Sequence, residues 1–155
     1  MDRKSYFLGI IPNEDVEYKI RRIVVEVAKV FDVQGIPVRI VKPNQFHMKL
    51  LFLGERLSIF KKLFYRRKLN SFKTKSFQAD IERIRLGLSR KNRELLILTI
   101  GRGGDELRSM LYDLSQDLNI NRARTFIPHI AIGRVNKDLS DEEFKNLSEG
   151  VYKVS

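Results

Sequence analysis

The 155-residue sequence contains no cysteine and no tryptophan, and it has only two histidines and four prolines. The absence of cysteine excludes a disulfide scaffold, a thiol nucleophile and any zinc site with thiolate ligands. With two histidines in the whole chain, a metal centre of two or three imidazoles is hard to build. No run approaches the roughly 18 apolar residues of a membrane span. The start, Met1 to Ser5, leads into a short apolar stretch broken by Pro12 and acidic residues, so a signal peptide is not expected. These features fit a reducing compartment, and the expectation is a cytoplasmic protein with no membrane association, no cofactor and no metal. Acids are scarce too: 19 against 30 Lys and Arg give a net charge of +11. Such a balance bears on partners rather than on fold, and it favours polyanions such as RNA or nucleotides. The excess is uneven. From Arg56 to Arg93 there are thirteen Lys and Arg against Asp80 and Glu82. The 43% of apolar residues suffices for a core without a stapling metal, and the length suits a single unit spanning 1–155.

The pattern along the chain predicts alternating short strands and amphipathic helices. Tyr6 to Ile11 reads as a strand, and Asn13 caps a helix with Val16, Ile20, Ile23, Val24, Val27 and Phe31 at helical spacing. Strands follow at Ile36 to Val41 and Phe46 to Leu53. Ser58 caps a helix with Phe60, Leu63 and Phe64 on one side and Lys61, Lys62, Arg66 and Arg67 on the other. Phe77, Ala79 and Ile81 alternate as in a strand, Arg90 to Arg93 form a hairpin tip, and Leu95 to Ile100 return. Gly103-Gly104 precede a helix with a stripe of Leu107, Met110, Leu111, Leu114 and Leu118. Phe126 to Val135 is a strand, Ser140 and Glu143 form a capping box, and Val151 to Val154 start a final strand. With connections this short the strands are mostly antiparallel and the class is α+β.

Both histidines sit on apolar strands of similar pattern. One reads Phe46-His47-Met48-Lys49-Leu50-Leu51-Phe52-Leu53-Gly54, the other Phe126-Ile127-Pro128-His129-Ile130-Ala131-Ile132-Gly133-Arg134-Val135. Residues i and i+2 of a strand share a face, so His47 goes with Lys49 and His129 with Ala131. Met48, Leu50, Ile130 and Ile132 are left to face the core.

At these residues the sequence resembles the two-histidine phosphoesterases, in particular the LigT-like RNA 2′,3′-cyclic phosphodiesterases, historically called 2′-5′ RNA ligases. Their paired motifs are of the His-x-Thr/Ser-x type, and Phe7 to Pro12 resembles the family's first strand. The resemblance runs over roughly residues 5–137. It implies a two-lobed fold of mostly antiparallel sheets with flanking helices and a central cleft, one histidine from each lobe, and a shortened C-terminal part. By this resemblance His129 is the base and His47 the acid of a metal-independent hydrolysis of cyclic phosphate at RNA ends or in nucleotides, with weak 2′-5′ ligation as an accompanying activity.

Neither motif keeps its hydroxyl: Lys49 and Ala131 stand there instead. Lys49 and Arg134 are the expected phosphate contacts, the alternatives being a solvent-reaching strand lysine and an architectural arginine. Arg134 is offset from His129 by an odd number, so a bend at Gly133 is needed to turn it toward the cleft. Phe46, Tyr6 and Tyr65 are candidate stacking residues, and Lys61, Lys62, Arg66 and Arg67 a candidate RNA-binding surface. A module that binds phosphorylated RNA ends without turnover, and an interaction protein with a basic surface, are the competing readings. The chain is taken as a monomer or an oligomer of unknown order.

Overall fold

The computed structural model describes residues 4–88, 92–121 and 126–154. The elements run β1 (Tyr6–Ile10), α1 (Glu14–Gln34), β2 (Val38–Ile40), β3 (Met48–Gly54), α2 (Ile59–Ser71), β4 (Ile81–Leu86), β5 (Leu95–Ile100), α3 (Gly104–Asp117), β6 (His129–Val135) and α4 (Asp141–Tyr152). This is an α+β arrangement. β1 and β3 pair antiparallel, and β2, β6, β5 and β4 form a four-stranded antiparallel sheet in that order.

Local chemistry sets the helix ends. The Asn13 side chain accepts a hydrogen bond from the Val16 N–H at 3.0 Å, and Glu14, Asp15 and Glu17 lie at the positive end of α1. Gly35 ends the helix with a φ of 65°, which suits a residue without Cβ. Ser58 caps α2, and Ser140 with Glu143 forms the expected reciprocal capping box of α4.

The four-stranded sheet covers the larger of two apolar clusters, which Met48 of β3 also enters. Ile20, Val27 and Phe31 of α1 and Leu147 and Val151 of α4 pack with Ile130, Ile132, Leu96, Leu98 and Ile84 of the four-stranded sheet. Leu111 and Leu114 in the second half of α3, and Leu118 just past its end, pack with Leu51 of β3, whereas Leu107 joins the larger cluster. The stripe expected on α3 is therefore buried, with Met110 at its margin.

Several expected strands are shorter, each for a visible reason. β2 starts at Val38, because Pro37 has no N–H and the Ile36 N–H is bonded to Phe31 O at the end of α1. β3 starts at Met48, because Pro43–Gln45 form a 3₁₀ turn and the Phe46 N–H bonds back to Pro43 O. β6 starts at His129, directly after Pro128. Phe77 and Ala79 precede β4 rather than belonging to it, since the chain there passes close against Gly103. The expected final strand is helical: Val151, four residues after Leu147, continues the buried stripe of α4. Of the expected hairpin tip, Arg90 and Lys91 lie outside the described residues.

The basic helix is turned over relative to expectation. Phe60 is 83% exposed, and Leu63 and Phe64 are exposed as well. Tyr65 and Leu69, one turn apart, instead reach the cluster around Leu51, and Lys62 lies 4.6 Å from the Tyr6 ring centroid. The helix docks by that stripe and buries none of its residues fully. No helix among the described residues is long and apolar enough to cross a membrane.

Candidate active site

His47 is the residue just before β3, and His129 is the first residue of β6. The expectation that both lie within strands thus holds for His129 alone. Both are half-buried, and both line one cavity of about 540 Å³. Lys49, Arg134 and Ala131 line the same cavity, so the histidines, the two expected phosphate contacts and the second motif position are brought together.

The two imidazoles are held in the same way. His47 Nδ1 lies 2.6 Å from Gln45 O, and His129 Nδ1 lies 2.7 Å from Ile127 O. A carbonyl only accepts, so each Nδ1 carries a hydrogen and donates it to the backbone two residues upstream. In the neutral ring the lone pair is then on Nε2; in the charged ring Nε2 carries the second proton. Either histidine is therefore presented in the form that acid–base chemistry at Nε2 requires.

The register explains how Arg134 joins the site. Thr99, Ile97 and Leu96 of β5 face His129, Ala131 and Gly133, and Leu95 faces Arg134, which leaves Ile132 as an extra residue on β6. A bulge of this kind shifts the side-chain alternation by one. Ile130, Ile132 and Val135 reach the core, whereas His129, Ala131 and Arg134 line the cavity. The offset is corrected by a bulge at Ile132, and not by a bend at Gly133 alone. β3 carries comparable irregularities: Leu50 and Leu53 have no partner opposite them on β1. Met48 and Leu51 are accordingly buried, and Lys49 and Phe52 exposed.

Sequence reasoning missed Phe7. Its ring stacks on His47 with centroids 5.1 Å apart and planes at 28°, and Lys49 Nζ sits 5.0 Å from its centroid. Strand alternation on β1 carried no signal for this contact, which depends on the pairing of β1 with β3. Of the expected stacking residues, Phe46 is only 2% exposed and belongs to the core, and Tyr6 and Tyr65 line a different cavity beside α2. Arg39, Lys42 and Gln45 also line the histidine cavity and were not singled out by their sequence context.

The cavity is strongly cationic. Arg39, Lys42, Lys49 and Arg134 line it along with the histidines, and no carboxylate among the described residues does. Glu94 approaches Arg134 to 4.0 Å. None of Lys61, Lys62, Arg66 and Arg67 lines it: Lys62 and Arg66 border the cavity beside α2, where Lys62 holds the Tyr6 hydroxyl below its usual pKa by hydrogen bond and charge.

Apo LigT of E. coli matches this structure with a TM-score of 0.67 over 88% of the chain and 76% of LigT, at 21% identity. The fold is that of LigT. TT0787 of Thermus thermophilus matches with a TM-score of 0.59 at 22% identity, over 88% of this chain and 76% of TT0787. Usb1 of Kluyveromyces marxianus matches with 0.61 at 15% identity, over 96% of this chain and 81% of Usb1. No family model and no curated protein matches the sequence. The LigT-like fold is therefore carried by the structure, and it agrees with the resemblance read from the two histidine motifs.

Proposed function

We propose that this protein is a metal-independent cytoplasmic phosphodiesterase that opens a 2′,3′-cyclic phosphate at an RNA end or in a nucleotide, with weak 2′-5′ ligation as an accompanying activity. The observation that carries the reading is the pair of histidines held alike through Nδ1 in one cationic cavity, with no carboxylate among its described lining residues. Crystals of LigT hold phosphate, 3′-AMP or NADP+, and a nucleotide phosphate is the ligand carried over to this chain. In this reading the two sheets belong to one two-lobed domain, and the histidine cavity is its cleft.

The chemistry follows from the two rings. Neutral His129 takes a proton from water through Nε2 while the water oxygen attacks phosphorus. His47, as imidazolium, gives its Nε2 proton to the ribose oxygen that leaves. The P–O bond of the cyclic ester breaks and a phosphomonoester remains. Lys49 holds the nonbridging oxygens and opposes the charge that develops on them, and Arg134 adds a positive charge to the same cavity. Lys61, Lys62, Arg66 and Arg67 contact the RNA backbone outside the cavity by charge, without reading sequence.

The test is hydrolysis of a 2′,3′-cyclic nucleotide and of an RNA with a cyclic end, in EDTA, with the 2′- and 3′-phosphate products resolved. Turnover that His47→Ala and His129→Ala each abolish is expected. Turnover that survives both substitutions would refute the assignment. A second reading, binding of a phosphorylated RNA end without turnover, is favoured by Ala131, which offers no side-chain donor at the second motif. It predicts tight product binding and no hydrolysis in the same assay.

A further inference from the structure

β2 and β6 are antiparallel, with Arg39 directly opposite Arg134. Directly opposed residues of paired strands share a face, and like charges in that position repel. Both arginines line the histidine cavity, and so does Lys42, two residues past the end of β2. Arg134 has Glu94 at 4.0 Å, whereas Arg39 and Lys42 take part in no ion pair among the described residues. Arg39 and Arg134 thus stand together at one end of the cavity with little in the protein to balance them, while the Val41 N–H bonds to Ile132 O and carries Lys42 toward the other end. A planar guanidinium pair of this kind suits the oxygens of a phosphate.

This end lies apart from the reacting position. Arg134 is five residues along β6 from His129, and the bulge at Ile132 absorbs one of them. At a strand rise of roughly 3.3 Å per residue the two Cα atoms are about 13 Å apart, more than one phosphate spans. The cavity volume of about 540 Å³ also exceeds what a lone phosphate needs; pockets of about 300–1,000 Å³ take whole small-molecule ligands.

We infer that Arg39, with Arg134, forms a second anion subsite for a phosphate joined through a ribose to the reacting one. The preferred substrates are then nucleotides that carry a further phosphate, either the upstream phosphodiester of an RNA end or a 5′-phosphate, in preference to a bare cyclic nucleoside phosphate. The inference rests on the phosphodiesterase reading for the position of the reacting phosphate. Arg39 then sets specificity without taking part in bond making.

Three substrates separate the cases: a 2′,3′-cyclic nucleoside monophosphate, the same compound with a 5′-phosphate, and a dinucleotide with a cyclic 3′ end. The wild type should prefer at least one of the two-phosphate substrates in kcat/KM. Arg39→Gln should lower that preference about ten-fold, as expected for one lost charge-assisted contact. It should also weaken the salt dependence for that substrate, since one screened charge–charge contact is lost. The two compounds with a second phosphate show which source fits. No preference in the wild type, or a preference that Arg39→Gln leaves intact, would overturn the subsite. Hydrolysis of none of the three would mean that the phosphodiesterase reading has failed. Calorimetry with 3′-phosphorylated mononucleotide, 3′,5′-bisphosphate and dinucleotide then decides the subsite alone. A second phosphate that tightens binding in the wild type and not in Arg39→Gln supports it; equal affinities overturn it.

Discussion

Phe7 has no group that reacts with a phosphate, yet it touches both functional side chains of the first motif. Its ring stacks on the His47 imidazole and lies under the Lys49 ammonium. Replacing it with leucine keeps apolar bulk and removes the π face. A stacked aromatic pair is worth roughly 0.5–1.5 kcal/mol beyond burial, and a solvent-accessible cation–π contact roughly 0.5–1 kcal/mol. Their sum, about 1–2.5 kcal/mol, corresponds to about 5- to 70-fold in rate if all of it serves to orient the two groups. The Nδ1–H bond from His47 to Gln45 persists in the variant and restrains the ring. The expected loss is therefore in the lower part of that range, about ten-fold in kcat. Phe7→Tyr, which keeps the ring, should retain most of the activity. The assay is cyclic nucleotide hydrolysis by both variants, with Tm measured alongside and the His47 ring nitrogens followed by NMR. Wild-type kcat in a folded Phe7→Leu protein would refute the positioning role. So would equal losses in the leucine and tyrosine variants, which would point to shape and not to the π face.

Lys49→Ala should lower kcat/KM about 10²-fold, because Ala131 leaves no other side-chain donor at either motif position; Lys49→Thr should lose less, and equal losses would assign the whole effect to charge. Reversing Lys61, Lys62, Arg66 and Arg67 to glutamate should weaken RNA binding and flatten its salt dependence, while an unchanged slope would place the RNA surface elsewhere. Glu143 is held below its usual pKa by its hydrogen bond to Lys137, aided by the Ser140 backbone N–H. A carboxylate with a lowered folded-state pKa contributes stability above its unfolded pKa and loses it as pH falls through the folded one. The Tm gap between wild type and Glu143→Gln should therefore be present at neutral pH and shrink in acid; a gap independent of pH would refute this origin.

Periodicity made the order of strands and helices legible, because α1 and α3 obey one repeat from end to end, and β5 opens with a short unbroken apolar run. Leu107, Leu111, Leu114 and Leu118 recur at helical spacing and are buried for that reason. The limits of β2, β3 and β6 were less legible, since Pro37 and Pro128 act through missing N–H groups whose effect depends on the neighbouring strand, and Pro43 opens a 3₁₀ turn and its carbonyl takes the Phe46 N–H. The two histidines stood out by motif, and they share a cavity. Bulges were hidden: nothing in Ile130-Ala131-Ile132-Gly133 says that Ile132 lacks a partner on β5, yet this decides which way Arg134 points. Phe7 and Arg39 were hidden as well, because their roles arise from cross-strand pairing. The basic helix misled, since an apolar side facing outward cannot be told from one facing inward by spacing alone.

The two bonds to Gln45 O and Ile127 O also bear on how the site tolerates change. A carboxylate could orient an imidazole equally well, but it would bring a full negative charge beside the place where an anion is to sit. A peptide carbonyl supplies the same directional acceptor while remaining formally neutral. The acceptor belongs to the main chain, so any amino acid at positions 45 and 127 that preserves the local backbone preserves it. Those two positions are free to drift in side chain while the imidazoles stay aimed, and a search for co-varying acidic partners of the histidines would find none there.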